Sequence, residues 1–210
     1  MIKLAYCNVK DLNLDKAYNL VSDDRRSKIS FYKFDRDKKN SAGVYLLLKK
    51  LLDEESIVNP IFEIGEYGKA YISNYDDIYF NLSHCNDFVL CGISDKDIGV
   101  DIEYVDANID LDIAKYYFFN EEYSSILNAN VPYDEFFKYW VLKESYMKYT
   151  GLGFHLKLDS FSISIGRDIK LDDDVDGVKF SLFDIGGYKV ASAAKYSLSD
   201  CVEYFVEDLY

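Results

Sequence analysis

Two hairpin patterns, set in matching surroundings, constrain the fold of this chain most. Residues 78–82 and 88–93 read as strands around an Asn86-Asp87 turn, and residues 179–183 and 188–193 as strands around Gly186-Gly187. Phe80-Asn81-Leu82 followed by Val89 lies naturally beside Phe180-Ser181-Leu182 followed by Val190. A helical pattern precedes each hairpin. The first spans 35–52 and repeats Val44, Leu47, Leu48, Leu51 and Leu52; the second spans 136–149 and stops before Gly151. A Gly65…Gly68 or Gly151…Gly153 turn sits between helix and hairpin each time. This order predicts an α+β fold made of two similar α/β subdomains, 1–99 and 100–210, joined near residues 95–108. A cleft between such halves is a common place for a ligand. Any two α+β halves look alike at this level, so an unduplicated fold remains the alternative. Residues 2–7 and 158–165 also read as strands, and 15–30 as one helix.

Between the halves stands Ile98-Gly99-Val100-Asp101-Ile102-Glu103-Tyr104, an alternating strand. Asp101 and Glu103 are two apart, so they share a face. In Trp140-Val141-Leu142-Lys143-Glu144-Ser145-Tyr146-Met147-Lys148, Glu144 and Lys148 are four apart on a helix and also share a face. Three carboxylates and one ammonium can thus meet at one point. Magnesium takes one or two protein carboxylates and fills its shell with water and phosphate oxygens. A carboxylate such as Glu144 can also remove a proton from a hydroxyl, and Lys148 can neutralise a phosphoryl group. Such parts suit phosphoryl-type transfer. Taken singly, Asp-x-Glu is also a solvent-facing strand edge, and Glu144/Lys148 a surface helical ion pair.

Ser83-His84, at the end of a strand, can bind a phosphate. They do not form a hydrolytic pair, because adjacent strand residues point to opposite faces. His155 has no supporting context. The net charge of −13 argues against nucleic acid. The basic residues concentrate over 25–50, including Arg25, Lys28 and Lys39, which suits a small anionic ligand; a solvated helix face is the plainer account. The four cysteines form no C-x-x-C pair, and with two histidines they predict no structural zinc. No apolar run approaches the roughly 20 residues of a membrane span, and Met1-Ile2-Lys3-Leu4 lacks signal-peptide features, so the expectation is a cytoplasmic protein without a membrane partner. The acidic run 172–177 reads as a solvated turn, lacking the terminal Glu of a calcium loop.

Four blocks, in order, resemble the Sfp-type 4'-phosphopantetheinyl transferases. Glu66-Tyr67-Gly68-Lys69-Ala70-Tyr71 looks like that family's GKPY block, and Phe80-Asn81-Leu82-Ser83-His84 its F-N-[IL]-S-H block. Ile98 to Glu103 and Trp140 to Lys148 match its [IV]-G-[IV]-D-[IV]-E and W-x-x-K-E-[SA]-x-x-K blocks. The likeness runs from about residue 20 to 194. It implies an intramolecular pseudodimer, acting as a monomer, with the active site between its halves. It implies a Mg2+-dependent enzyme that moves the phosphopantetheine arm of coenzyme A to a serine of an acyl or peptidyl carrier protein and releases adenosine 3',5'-bisphosphate. Such carriers serve fatty acid synthesis or natural-product assembly lines. By position, Asp101, Glu103 and Glu144 are the metal carboxylates, Glu144 is also the base, and Lys148 contacts the transferring phosphate. Lys69, Ser83, His84 and Asp101 line the coenzyme A phosphates, Arg25 and Lys28 the 3'-phosphate, and Lys39 and Asn40 the adenine. Ala70 stands where the family has proline, and Cys85 where a small hydroxyl residue is common. The acidity of the chain implies carrier docking through apolar contacts more than charge. A coenzyme A-binding module without catalysis, and an unrelated α+β interaction protein, are the competing readings.

Overall fold

In the computed structural model, which describes residues 2–172 and 177–210, the chain opens with strand β1 (Ile2–Asn8), whose Leu4, Ala5 and Cys7 are buried. Helices α1 (Leu14–Leu20), α2 (Asp23–Ser30) and α3 (Asp35–Glu54) follow. A short hairpin of β2 (Phe62–Ile64) and β3 (Ala70–Ile72) precedes a longer one of β4 (Tyr79–Cys85) and β5 (Phe88–Ser94). The same order then recurs. Strand β6 (Ile98–Tyr104) leads to helices α4 (Asp112–Tyr117), α5 (Asn120–Asn128) and α6 (Pro132–Thr150). A short hairpin, β7 (Ile163–Ile165) with β8 (Ile169–Leu171), precedes a longer one, β9 (Lys179–Ile185) with β10 (Tyr188–Ala194). Last, β11 (Val202–Tyr204) pairs in parallel with β1.

The sheets repeat as the element order does. The first runs β11-β1-β5-β4 and the second β6-β10-β9, so in each the leading strand pairs with the later arm of the long hairpin. Helix α3 lies on the first sheet through Leu47, Leu48, Leu51 and Leu52, which are 0–1% exposed. Helix α6 lies on the second through Val141, Leu142 and Met147. The other faces of the sheets meet in one shared cluster: Leu4 and Leu90 from the first, Ile98, Val100, Ile102 and Val190 from the second. That cluster fuses the two halves by removing apolar surface from water on both sides.

Alternation in β6 now has a direction. Its Ile98, Val100 and Ile102 enter the shared cluster, and Gly99 and Asp101 between them face α6. Gly99 proves the second point, because a Cβ built there would fall on Ser145 O and Tyr149 N of the helix backbone. No larger residue fits unless α6 lifts away. The helix itself begins with Pro132 in its first turn, where the missing N–H costs nothing. It ends at Gly151, whose φ of 74° makes the left-handed cap.

Local differences from the sequence expectations have physical causes. The single helix expected over 15–30 is two. Val21 leaves helical geometry at φ −90° and ψ 158°, and the Ser22 hydroxyl accepts from Arg25 N to start a new helix. The strand expected over 158–165 is a 3-10 turn (Leu158–Ser160) followed by β7, because Leu158 O and Phe161 O are taken by the Lys143 ammonium. The turn expected over 172–177 falls mostly on residues 173–176, outside the described residues.

Candidate active site

The central cluster sits where β4, β6 and α6 meet. Lys148 on α6 donates to Asp101 Oδ1 on β6 at 2.6 Å and to Ser83 Oγ on β4 at 3.0 Å. Ser83 Oγ donates to the same Asp101 Oδ1 at 2.8 Å, closing a triangle among three elements. Asp101 is only 3% exposed, and its second oxygen, Oδ2, is buried with no hydrogen-bond partner. An orphaned carboxylate oxygen is costly unless something electropositive completes it.

Glu103 and Glu144 share this environment. Burial first, then Asp101, pushes the Glu103 carboxyl up to about 7, with Glu144 adding to the rise. Burial and then Asp101 likewise raise Glu144, while Lys148 opposes the rise. Like charges held together out of water resist ionising together. Among the described residues, no group of three His, Cys, Asp or Glu side chains is drawn in closely enough to hold a metal ion as it stands. The donor set nonetheless fits a hard divalent cation. It offers three carboxylates that repel one another and one oxygen with no partner.

The Glu103 shift has a consequence for stability. Its folded pKa, about 7, lies above the carboxylate value of 4.5, so between those pH values the folded state holds a proton that the unfolded state has lost. Its contribution is therefore fully present below about 4.5 and is lost as pH rises through 7. Without divalent cations, thermal melts of the wild type should lose several degrees relative to Glu103→Gln between pH 5 and pH 8. Parallel melting curves across that range would contradict the assignment.

His84 follows Ser83 on β4 and keeps an open face to solvent. Partial burial of its ring and the Lys148 ammonium pull its pKa down; Lys28 acts in the same sense, and Asp37 and Asp101 oppose it. The imidazole thus senses both the central cluster and α2. On α2, burial lowers the pKa of Arg25 and of Lys28, the latter helped by Arg25. Arg25 Nη1 donates to Ser41 Oγ at 3.4 Å, and the guanidinium lies 5.1 Å from the Tyr45 ring centre. Lys39 is turned to another task, donating to Lys10 O at 2.5 Å. Asn40 is buried and donates to Asn86 O at 2.7 Å, while its Oδ1 has no partner.

Lys69 lies on the other side. Its ammonium donates to Tyr149 O at 3.0 Å and stands 3.5 Å from Asp97, and burial lowers its pKa. It lines a cleft of about 260 Å³ between the halves. Tyr67, Ala70, Phe80 and Leu82 line it from the first half, and Met147, Lys148 and Gly153 from the second. At its rim Tyr67 and His155 rings stand 5.0 Å apart, a contact the sequence did not suggest for His155.

Two structural partners of the site were not anticipated. Lys143, adjacent to Glu144, is fully buried and pairs with Glu122 at 2.9 Å. Asn81 Oδ1 accepts from Val100 N on β6 at 2.9 Å. Lys143 and Asn81 lie inside motif blocks, but nothing in the spacing names their partners, which are tertiary.

Comparison with known proteins adds an independent line. A family model described as the 4'-phosphopantetheinyl transferase superfamily matches residues 97–190, which include β6 and α6. The 4'-phosphopantetheinyl transferase Sfp of Bacillus subtilis (strain 168) is 37% identical over 142 residues, covering 64% of this chain and 63% of that protein. The 4'-phosphopantetheinyl transferase gsp of Aneurinibacillus migulanus is 38% identical over 127 residues, covering 58% and 52%. These two alignments therefore take in half to two thirds of the relatives' length. The 4'-phosphopantetheinyl transferase ffp of Bacillus subtilis is 30% identical over 200 residues, covering 93% of this chain and 88% of that protein.

Proposed function

We propose a group-transfer reaction for this chain, which belongs to the 4'-phosphopantetheinyl transferase superfamily. The reaction moves 4'-phosphopantetheine from coenzyme A to a serine of an acyl or peptidyl carrier protein. The serine oxygen bonds to the phosphorus that bears the pantetheine arm. The bond from that phosphorus to the bridging oxygen breaks, and adenosine 3',5'-bisphosphate leaves with the bridging oxygen and its electron pair. The observation that carries this reading is the Lys148–Asp101–Ser83 triangle, which joins the two halves at one charged point.

Each residue has a role that its surroundings support. Glu144 accepts the serine proton; burial and Asp101 raise its pKa above the ordinary carboxylate value, which makes it a stronger base. Lys148 stabilises charge on the transferring phosphoryl group, from a position already tied to both sheets. Ser83, His84 and Lys69 hold the diphosphate, and Arg25 and Lys28 the 3'-phosphate. The lowered lysine pKa values mark ammonium groups taken partly out of water, where an anion gains most. Lys39 and Asn40 would contact the adenine, Asn40 through its unpartnered Oδ1 and Lys39 on leaving Lys10 O. The carboxylates that would hold Mg2+ are Asp101, Glu103 and Glu144, with the unpartnered Asp101 Oδ2 as the supporting observation. Bound there, the ion would neutralise diphosphate charge.

The division at 1–99 and 100–210 fits this reading, with coenzyme A contacts in the first part and the carboxylates in the second. Strand β11 returns from the second part to the first sheet. The repeated order of elements supports a pseudodimer that works as a single chain. Among the described residues no helix is long and apolar enough to cross a membrane. We place the reaction in the cytoplasm, where coenzyme A and carriers meet.

The direct test is the intact mass of apo carrier proteins after incubation with this chain, coenzyme A and Mg2+. A gain of one phosphopantetheine arm, lost on adding EDTA, is expected. No gain on any fatty-acid, polyketide or peptide carrier would contradict the assignment.

A further inference from the structure

The two sheets are adjacent at β4 and β6 but share no ladder there; β4 ends the first sheet and β6 begins the second. An unpaired edge leaves N–H groups in need of acceptors. Here side chains of β4 supply them. Asn81 Oδ1 accepts from Val100 N at 2.9 Å, and Cys85 Sγ accepts from Tyr104 N at 3.4 Å. Between them Ser83 Oγ donates to Asp101 Oδ1 at 2.8 Å. Residues 81, 83 and 85 are spaced by two, so one face of β4 meets β6 at three successive points. Beyond the strand end, Asn86 Nδ2 donates to the Tyr188 hydroxyl on β10 at 3.2 Å and extends the join.

Neighbouring strands are normally tied to each other by ladder bonds. At this junction the tie is made by side chains, and Asn81 makes the direct carboxamide bond to the β6 backbone. Its partner, Val100, immediately precedes Asp101. We infer that Asn81 is a positioning residue. It fixes the height of β6 against β4, and so places Asp101 and Glu103 relative to Ser83, His84 and Lys69. It acts through the Val100 N–H and not by touching the reacting phosphate. This inference rests on the transferase reading for its kinetic consequence, but not for its structural one.

Two features separate this role from simple packing. First, Asn81 also lines the cleft, so a contact role there would weaken coenzyme A binding, whereas a positioning role would slow turnover. Second, an aspartate at 81 keeps an acceptor oxygen and a leucine does not.

The test combines amide hydrogen exchange, resolved at Val100, with steady-state carrier loading. In the wild type, Val100 N–H should exchange as slowly, within about tenfold, as the ladder amides of β6. In Asn81→Leu it should exchange at least about tenfold faster, with the β1–β5 amides unchanged. kcat should fall about ten- to a hundredfold, the range of small misplacements at a reacting centre, while KM for coenzyme A stays within about twofold. Asn81→Asp should restore slow exchange. Fast Val100 exchange in the wild type would overturn the inference even if no variant folds. So would Asn81→Leu with unchanged exchange, or with a raised KM and an intact kcat. Exchange needs no turnover, so a chain that loads no carrier would refute the transferase reading while the exchange data still decide the role of Asn81.

Discussion

Glu144→Gln is expected to slow carrier loading by about three orders of magnitude, the range seen when a positioned acid–base group is lost, with coenzyme A affinity within about threefold of wild type. The substitution keeps size and helix propensity, so α6 stays as it is. Glutamine cannot take a proton from the acceptor serine, and it removes one of three carboxylates facing the cluster. Of the residues assigned to coenzyme A, those from Arg25 to His84 and Asp101 lie outside α6, and Lys148, one turn along α6, keeps its bonds to Asp101 and Ser83. Calorimetric binding of coenzyme A and single-turnover loading, measured on the same preparation, separate the two effects. A variant that loads carriers within about tenfold of wild type would remove Glu144 from the mechanism.

Lys143→Met should cost about 3–5 kcal/mol of folding stability, the range for breaking a buried ion pair from one side. Lys143 is 0% exposed and Glu122 2% exposed, and their charges are 2.9 Å apart. All three ammonium hydrogens have acceptors: Glu122 Oε2, Leu158 O at 2.9 Å and Phe161 O at 2.7 Å. Glu122 in turn accepts from Ile163 N at 2.7 Å and Phe119 N at 2.9 Å. Removing the lysine strands a carboxylate among Phe118, Phe119 and Phe161 rings that lie 4.5–5.6 Å from the ammonium. Lys143→Met/Glu122→Leu should recover part of the loss, since no lone charge is left, but not the backbone groups the pair satisfied. Denaturant unfolding measures both. A loss below about 1 kcal/mol for the single variant would mean that water or a backbone shift relieves Glu122.

What the sequence disclosed follows the range of its signals. Strand β6 and helix α6 were legible because alternation and the four-residue spacing are local, and both carboxylate faces follow from those periods. The structure adds that Gly99 brings the two faces together, a close approach that no periodicity announces. The two long hairpins were legible from their turns. Helices α4 and α5 were not, since each is short and its buried apolar residue, Ala114 in one and Ile126 in the other, is too isolated to show a stripe before α6 covers it. Strand β11 is three residues long and exists through its pairing with β1. The break between α1 and α2 carried a readable sign, Ser22 before two aspartates, which the helical spacing over 15–30 masked. Glu122 and the acceptor role of Asn81 left no sign, because each depends on a partner from a distant segment.

Release of adenosine 3',5'-bisphosphate tests the central claim most directly. It would be followed with coenzyme A, Mg2+ and an apo carrier that accepts the arm, beside the same carrier with its acceptor serine changed to alanine. The account predicts bisphosphate equal to the carrier present, and none with the alanine form. Bisphosphate formed equally with both carriers would show hydrolysis in place of transfer, and none with either would leave the Lys148–Asp101–Ser83 cluster without the chemistry assigned to it.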